Sequence, residues 1–126
     1  MAERILINRG TEPFYATVFE RNDEYLHSPW RRNTKSTIVI PGTEEEIYYG
    51  NYENPYLNGI TVESLDGFPI YQYKLFVREP GDVVDDILNM NSVFEIIFDS
   101  TKKACSITTH SKVSIHFCYT SGIRSE

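Results

Sequence analysis

Cysteine is scarce in this chain. Its 126 residues hold two, Cys105 and Cys118, too few for a disulfide scaffold, and both are expected as separate reduced thiols. Long apolar runs are missing too. No stretch approaches the roughly 20 residues a membrane-spanning helix needs. At the start, MAERILINRG offers only Ile5-Leu6-Ile7 as an apolar run, too short for a signal-peptide core. No Asn-x-Ser/Thr acceptor occurs. Cytoplasmic synthesis without a signal peptide is therefore expected, and release by a non-classical route stays compatible with it. Basic charge is also in deficit. Twelve Lys and Arg against 18 Asp and Glu give a net charge of −6, which argues against a nucleic-acid partner, because phosphate binding needs a basic surface.

Chemical signatures are just as thin. There is no Gly-x-Ser-x-Gly elbow, and His27, His110 and His116 carry no flanking pattern for nucleophilic catalysis. The histidines and cysteines lack zinc spacing. Asp82, Asp85 and Asp86 offer oxygen ligands without the EF-hand pattern. The 7 glycines sit singly at turns, so no phosphate loop forms. Carboxylate pairs for glycoside hydrolysis exist among 18 acids, but a chain this short rarely builds the cleft that chemistry wants. No catalytic residue, metal or cofactor is expected.

What is present reads as strand. Apolar residues make up 40% of the chain and charged residues 24%, as in a globular domain. Alternation with a period of two dominates. Ile5 to Ile7, Phe14 to Phe19, Thr37 to Ile40, Glu46 to Tyr49, Ile60 to Leu65, Ile70 to Val77, Val93 to Phe98, Ala104 to Thr109 and Val113 to Tyr119 make about nine strands. Pro41-Gly42 and Asp66-Gly67 mark turns, and Gly50 to Gly59 reads as a loop. One segment differs. In GDVVDDILNM, Val83, Val84, Ile87 and Leu88 put an apolar stripe on a short helix near 82–89, with acids at its positive end. The expected architecture is all-β: a single-domain antiparallel β-sandwich over 1–126 with that helix covering an edge or end.

Charge and aromatics are unevenly spread. From Gly42 to Asp99 there are 12 acids against Lys74 and Arg78, and the remainder holds 6 acids and 10 bases. That asymmetry serves solubility, or offers one acidic and one basic region to partners. Residues 48 to 59 place 4 of the 9 tyrosines and 3 asparagines in twelve positions. Tyrosine supplies a rigid face plus a hydroxyl at low entropic cost, and Asn and Gly supply adaptable hydrogen bonds. Such rings also suit the headgroup layer of a bilayer. The alternative is that Tyr49 and Tyr56 close one end of the core. Trp30 stands beside Arg31 and Arg32, an arrangement that can engage a phosphate or a sugar, or it is a core tryptophan. Expected ligand-binding residues are Trp30, Arg31, Arg32, Tyr48, Tyr52, Glu53, Asn54 and Tyr56.

A family resemblance runs along the same residues. The chain has Ile5-Leu6-Ile7-Asn8, then Ser28-Pro29-Trp30, then Ile40-Pro41-Gly42 leading to Ile47. Gly59-Ile60-Thr61-Val62-Glu63 precedes Asp66-Gly67, and Tyr73 to Phe76 runs into Pro80-Gly81. In this order and spacing it resembles the aegerolysins, small acidic leaderless β-sandwich proteins of fungi and bacteria that include one partner of certain insecticidal toxin pairs. The resemblance implies recognition of a membrane lipid or raft component, and pore formation only with a larger protein partner. It also implies that Trp30 matches a family tryptophan and that Tyr52-Glu53-Asn54 lies near a lipid-contact loop. Two features depart from the pattern: tryptophan occurs once, and Gly81 follows Pro80 where the family has tryptophan.

The expected function is non-enzymatic recognition of a membrane lipid or a surface glycan or other surface ligand through aromatic loops. A protein-binding inhibitor or immunity-type module using the acidic half is the first alternative, and a small lectin the second.

Overall fold

The computed structural model describes residues 2–21, 34–50, 56–65, 71–109, 114–116 and 118–120, with the backbone path alone at 2, 114–116 and 118–120. Among the described residues, ten strands and one helix follow one another as β1 (Ala2–Asn8), β2 (Phe14–Glu20), β3 (Thr34–Val39), β4 (Glu44–Tyr49), β5 (Leu57–Glu63), β6 (Gln72–Phe76), α1 (Val83–Asn89), β7 (Val93–Asp99), β8 (Ala104–Thr109), β9 (Ser114–His116) and β10 (Cys118–Thr120). They form two five-stranded sheets, ordered β4-β1-β7-β8-β9 and β10-β6-β5-β2-β3. The expected all-β sandwich with one short helix is what the chain builds.

Alternation decides which side chains meet between the sheets. In β2, Phe14, Ala16 and Val18 are buried while Tyr15, Thr17 and Phe19 are half-buried. In β7, Phe94, Ile96 and Phe98 turn inward. Aromatic edges knit the sheets together. The Phe98 ring meets Phe14 at 6.4 Å and Tyr73 at 5.5 Å, both edge to face, the arrangement ring quadrupoles favour. Central strand β5 is buried along its whole length. Its outer face is closed at Gly59, which pairs with Phe76, and the Phe76 ring lies across the glycine 5.0 Å from the Phe19 ring. Only a residue without Cβ fits there.

A buried side-chain amide joins the sheets at one end. Asn8, at the end of β1, is 1% exposed. Its Nδ2 donates to the Glu12 carbonyl and to the Val39 carbonyl in the other sheet, both at 2.9 Å, and its Oδ1 accepts from the Gly10 N–H. A buried amide is retained when its bonds are made.

Several expected boundaries move. The loop expected over Gly50 to Gly59 ends early, because β5 starts at Leu57 and pairs with Glu20. The strand expected over Val113 to Tyr119 becomes two: β9 pairs with β8 in one sheet, and β10 pairs with β6 in the other. Among the described residues, one pairing is parallel, β1 beside β7, and the other strand pairs are antiparallel. Cys105 is buried on β8 as a free thiol, while Cys118 lies on β10 beside Lys74 in the opposite sheet.

Edge strands β3 and β4 carry charges at inward positions. Lys35 pairs with Val18 and Glu45 with Leu6, and both charged residues are exposed. Inward-facing charge at an edge discourages strand addition from another molecule.

Candidate functional site

Strand directions gather many of the chain's features at one end of the sandwich. Phe19 pairs with Thr34, Glu20 with Leu57, and Phe76 with Gly59. In the other sheet, Ala2 pairs with Tyr49, and β7, parallel to β1, begins there at Val93. The end of β2, the starts of β3 and β5, the end of β4 and helix α1 therefore share this end. Trp30, Arg31, Arg32, Tyr52, Glu53 and Asn54 lie outside the described residues; Arg21 and Thr34 flank the first segment, Gly50 and Tyr56 the second.

Helix α1 is held as a cap. Asp82 is its N-cap, accepting from the Asp85 N–H at 2.8 Å and from the Arg78 and Glu79 N–H groups. Ile87 and Leu88 are buried and Val84 packs partly against the core. Val83, expected in the same apolar stripe, is instead 65% exposed, because as the first helical residue it precedes the turn that faces the core. Asn89 binds Leu57 reciprocally, accepting from its N–H at 2.7 Å and donating to its carbonyl at 3.0 Å.

An ion pair completes the clasp. Arg21 donates to the Asp85 carboxylate, which also accepts from the Gly81 N–H and the Asn89 amide at 2.7 Å each. The Arg21 guanidinium lies 5.4 Å from the Tyr56 ring centroid. Burial alone would raise the Asp85 pKa, but the Gly81 N–H, Arg21 and Asn89 outweigh it and hold the carboxyl below its ordinary value. Burial also works to raise Asp82, and the three backbone donors at the helix start bring it below the ordinary value in the same way. These oxygens are occupied by N–H donors. Among the described residues, no group of three or more His, Cys, Asp or Glu comes together to hold a metal.

Tyrosine is divided between inside and outside. Tyr49 is sealed in the core under Arg4, whose guanidinium lies 5.3 Å from its ring centroid and donates to the Leu88 carbonyl at 3.0 Å. Burial pushes the Tyr49 phenol up to about 12, and desolvation lowers the Arg4 pKa. Tyr48 turns the other way and is 49% exposed, its hydroxyl donating to Glu46. That bond, with the Glu46 and Glu3 charges, raises its phenol to about 12. Tyr56 is 46% exposed. Two of the eight expected binding residues therefore present rings to solvent at this end.

Two further exposed groups escaped the sequence reading. Val83 and Met90, at the two ends of α1, join Tyr48 and Tyr56 among the exposed large apolar side chains, with Met90 79% exposed. The signal was available: Met90 directly follows the apolar stripe and precedes polar Asn91-Ser92. Among the described residues, no helix is long and apolar enough to cross a membrane. No protein-family model, no curated protein and no solved structure matches the chain.

Proposed function

We propose that this chain is a non-enzymatic recognition protein that applies the α1 end of its sandwich to a membrane lipid surface. The carrying observation is the convergence of Tyr48, Tyr56, Val83 and Met90, all exposed, at the end framed by Arg21, Thr34, Gly50 and Tyr56. Amphipathic rings and short aliphatic groups on a rigid rim fit the interfacial layer of a bilayer. The clasp of Arg21, Asp85 and Asn89 keeps that rim in place before binding, so little ordering entropy is lost on docking. The net chain charge of −6 favours neutral over anionic headgroups. The resemblance to aegerolysins supports the same role and adds a larger protein partner as the route to a pore.

Vesicle co-sedimentation tests this. Wild type is expected to pellet with vesicles of neutral phospholipid and less with vesicles rich in anionic lipid. Tyr56→Ser combined with Met90→Ser is expected to weaken pelleting about tenfold, as two partly buried apolar contacts of about 0.7 kcal/mol each would give. Equal pelleting of both proteins, or none with any vesicle, overturns the proposal. A glycan array run alongside separates a lectin, which would bind sugars without vesicles.

A further inference from the structure

The first sheet has an outer face with an unusual charge pattern. Register places Tyr48 beside Glu3, Glu46 beside Ile5, and Glu44 beside Ile7 on β4 and β1. On the other side of β1, Ile5 stands beside Val93 and Ile7 beside Glu95. Ile97, further along β7, is 48% exposed. An apolar track of Ile5, Ile7, Val93 and Ile97 thus runs beside a line of carboxylates on β4, with Glu95 set within the track between Val93 and Ile97. Glu95 is neutralised by Arg9 at 2.6 Å. Among the described residues, no cation pairs with Glu3, Glu44 or Glu46. Cross-strand neighbours usually relieve like charge with opposite charge; here isoleucines occupy those positions instead.

The pattern selects the occupant. A second copy of the chain would set the same carboxylates against themselves, and an anionic bilayer would repel them over a Debye length of about 8 Å. We propose that this face docks a cationic amphipathic segment of a partner protein. Its apolar side chains would cover Ile5, Ile7, Val93 and Ile97, and its Lys or Arg would meet Glu3, Glu44 and Glu46. Steering by unpaired carboxylates speeds encounter, and the apolar track holds the docked segment. This surface meets the α1 end at Tyr48 and Glu3 and extends away from it along β1, β4 and β7; the proposal does not rest on the lipid role.

A nuclear magnetic resonance titration of the full 15N-labelled chain decides it, with a short peptide alternating lysine and leucine as probe. Amide shifts are expected on β1, β4 and β7, weakening as salt is raised. Glu44→Lys with Glu46→Lys should weaken binding about tenfold, and Ile97→Ser about threefold. Glu79→Lys with Asp86→Lys, the same charge change at the α1 end, should change it less than about twofold. Circular dichroism confirms that each variant is folded; the Glu44/Glu46 pair lies on an exposed edge strand and does not depend on the core. Shifts centred elsewhere, no binding, equal weakening by both double variants, or an unaffected Ile97→Ser would each overturn the proposal.

Discussion

Tyr48 and Tyr49 are adjacent in the chain and serve opposite sides of one strand: the first is 49% exposed, the second 1%. Alternation along β4 makes that division, and it separates a contact residue from a core residue within one dipeptide. Tyr49 then anchors Arg4, which reaches the Leu88 carbonyl at the last turn of α1. The packing of one tyrosine therefore helps hold the surface to which the other belongs.

Alkaline titration reads the burial of Tyr49. Burial raises the Tyr49 phenol from 10.0 to about 12. The folded state thus keeps a proton that the unfolded chain gives up near pH 10. The resulting stability is complete below pH 10 and is lost as pH rises toward 12. Urea unfolding at stepped pH should show stability falling across that window, and Tyr49→Phe should make the fall shallower, leaving the share from Tyr48, whose phenol is also raised to about 12. A profile unchanged by Tyr49→Phe would contradict the burial described.

The acid side depends on the clasp. Asp82 and Asp85 both titrate below their ordinary value of 3.8. Their contribution is present above about pH 4 and lost as pH falls through the lowered folded values. Asp85→Asn should cost about 2 kcal/mol at neutral pH, by removing the carboxylate charge that faces Arg21 in a largely buried site. It should also remove part of the acid slope. Chemical denaturation at pH 7 and pH 3 measures both effects.

Gly59 and Phe76 make a steric prediction. A Cβ at position 59 would overlap the Phe76 ring, so Gly59→Ala should cost about 1–3 kcal/mol through displacement of that ring and loss of its contact with Phe19. Adding Phe76→Ala should make the Gly59→Ala step nearly neutral. A double-mutant cycle with no coupling between the two positions would refute the contact.

Cys105 gives a labelling test. It lies in the core beside Ile107 and the β7 aromatics, and burial pushes its thiol pKa up. In a Cys118→Ser background, Cys105 should resist thiol reagents until the protein unfolds. Its labelling rate in denaturant should then follow global unfolding.

The fold was legible in the residues because alternation and turn dipeptides are local signals. Phe14 to Phe19 and Pro41-Gly42 announce β2 and the corner after β3 without reference to the rest of the chain. The helix was equally plain, from the apolar stripe of Val84, Ile87 and Leu88 and the acids at its start. What stayed hidden depends on distant partners. Leu57 is strand rather than loop because Glu20 and Asn89 stand beside it. The division of the last strand between sheets rests on its long-range pairings, β9 with β8 and β10 with β6. At the candidate site, tyrosine density pointed to Tyr48 and Tyr56, but composition alone does not separate them from Tyr49. Val83 was concealed by an apolar stripe that reads as core along its whole length, while Met90, just past that stripe, was marked only by the polar residues after it.

Methionine provides the most direct test of lipid recognition, because the chain has only two, Met1 and Met90. With 13C-labelled methionine methyl groups and neutral vesicles containing a nitroxide headgroup lipid, the Met90 methyl signal should broaden strongly, and Tyr56→Ser should reduce that broadening. An undisturbed Met90 signal in protein that still pellets with the vesicles would show that another surface makes the contact.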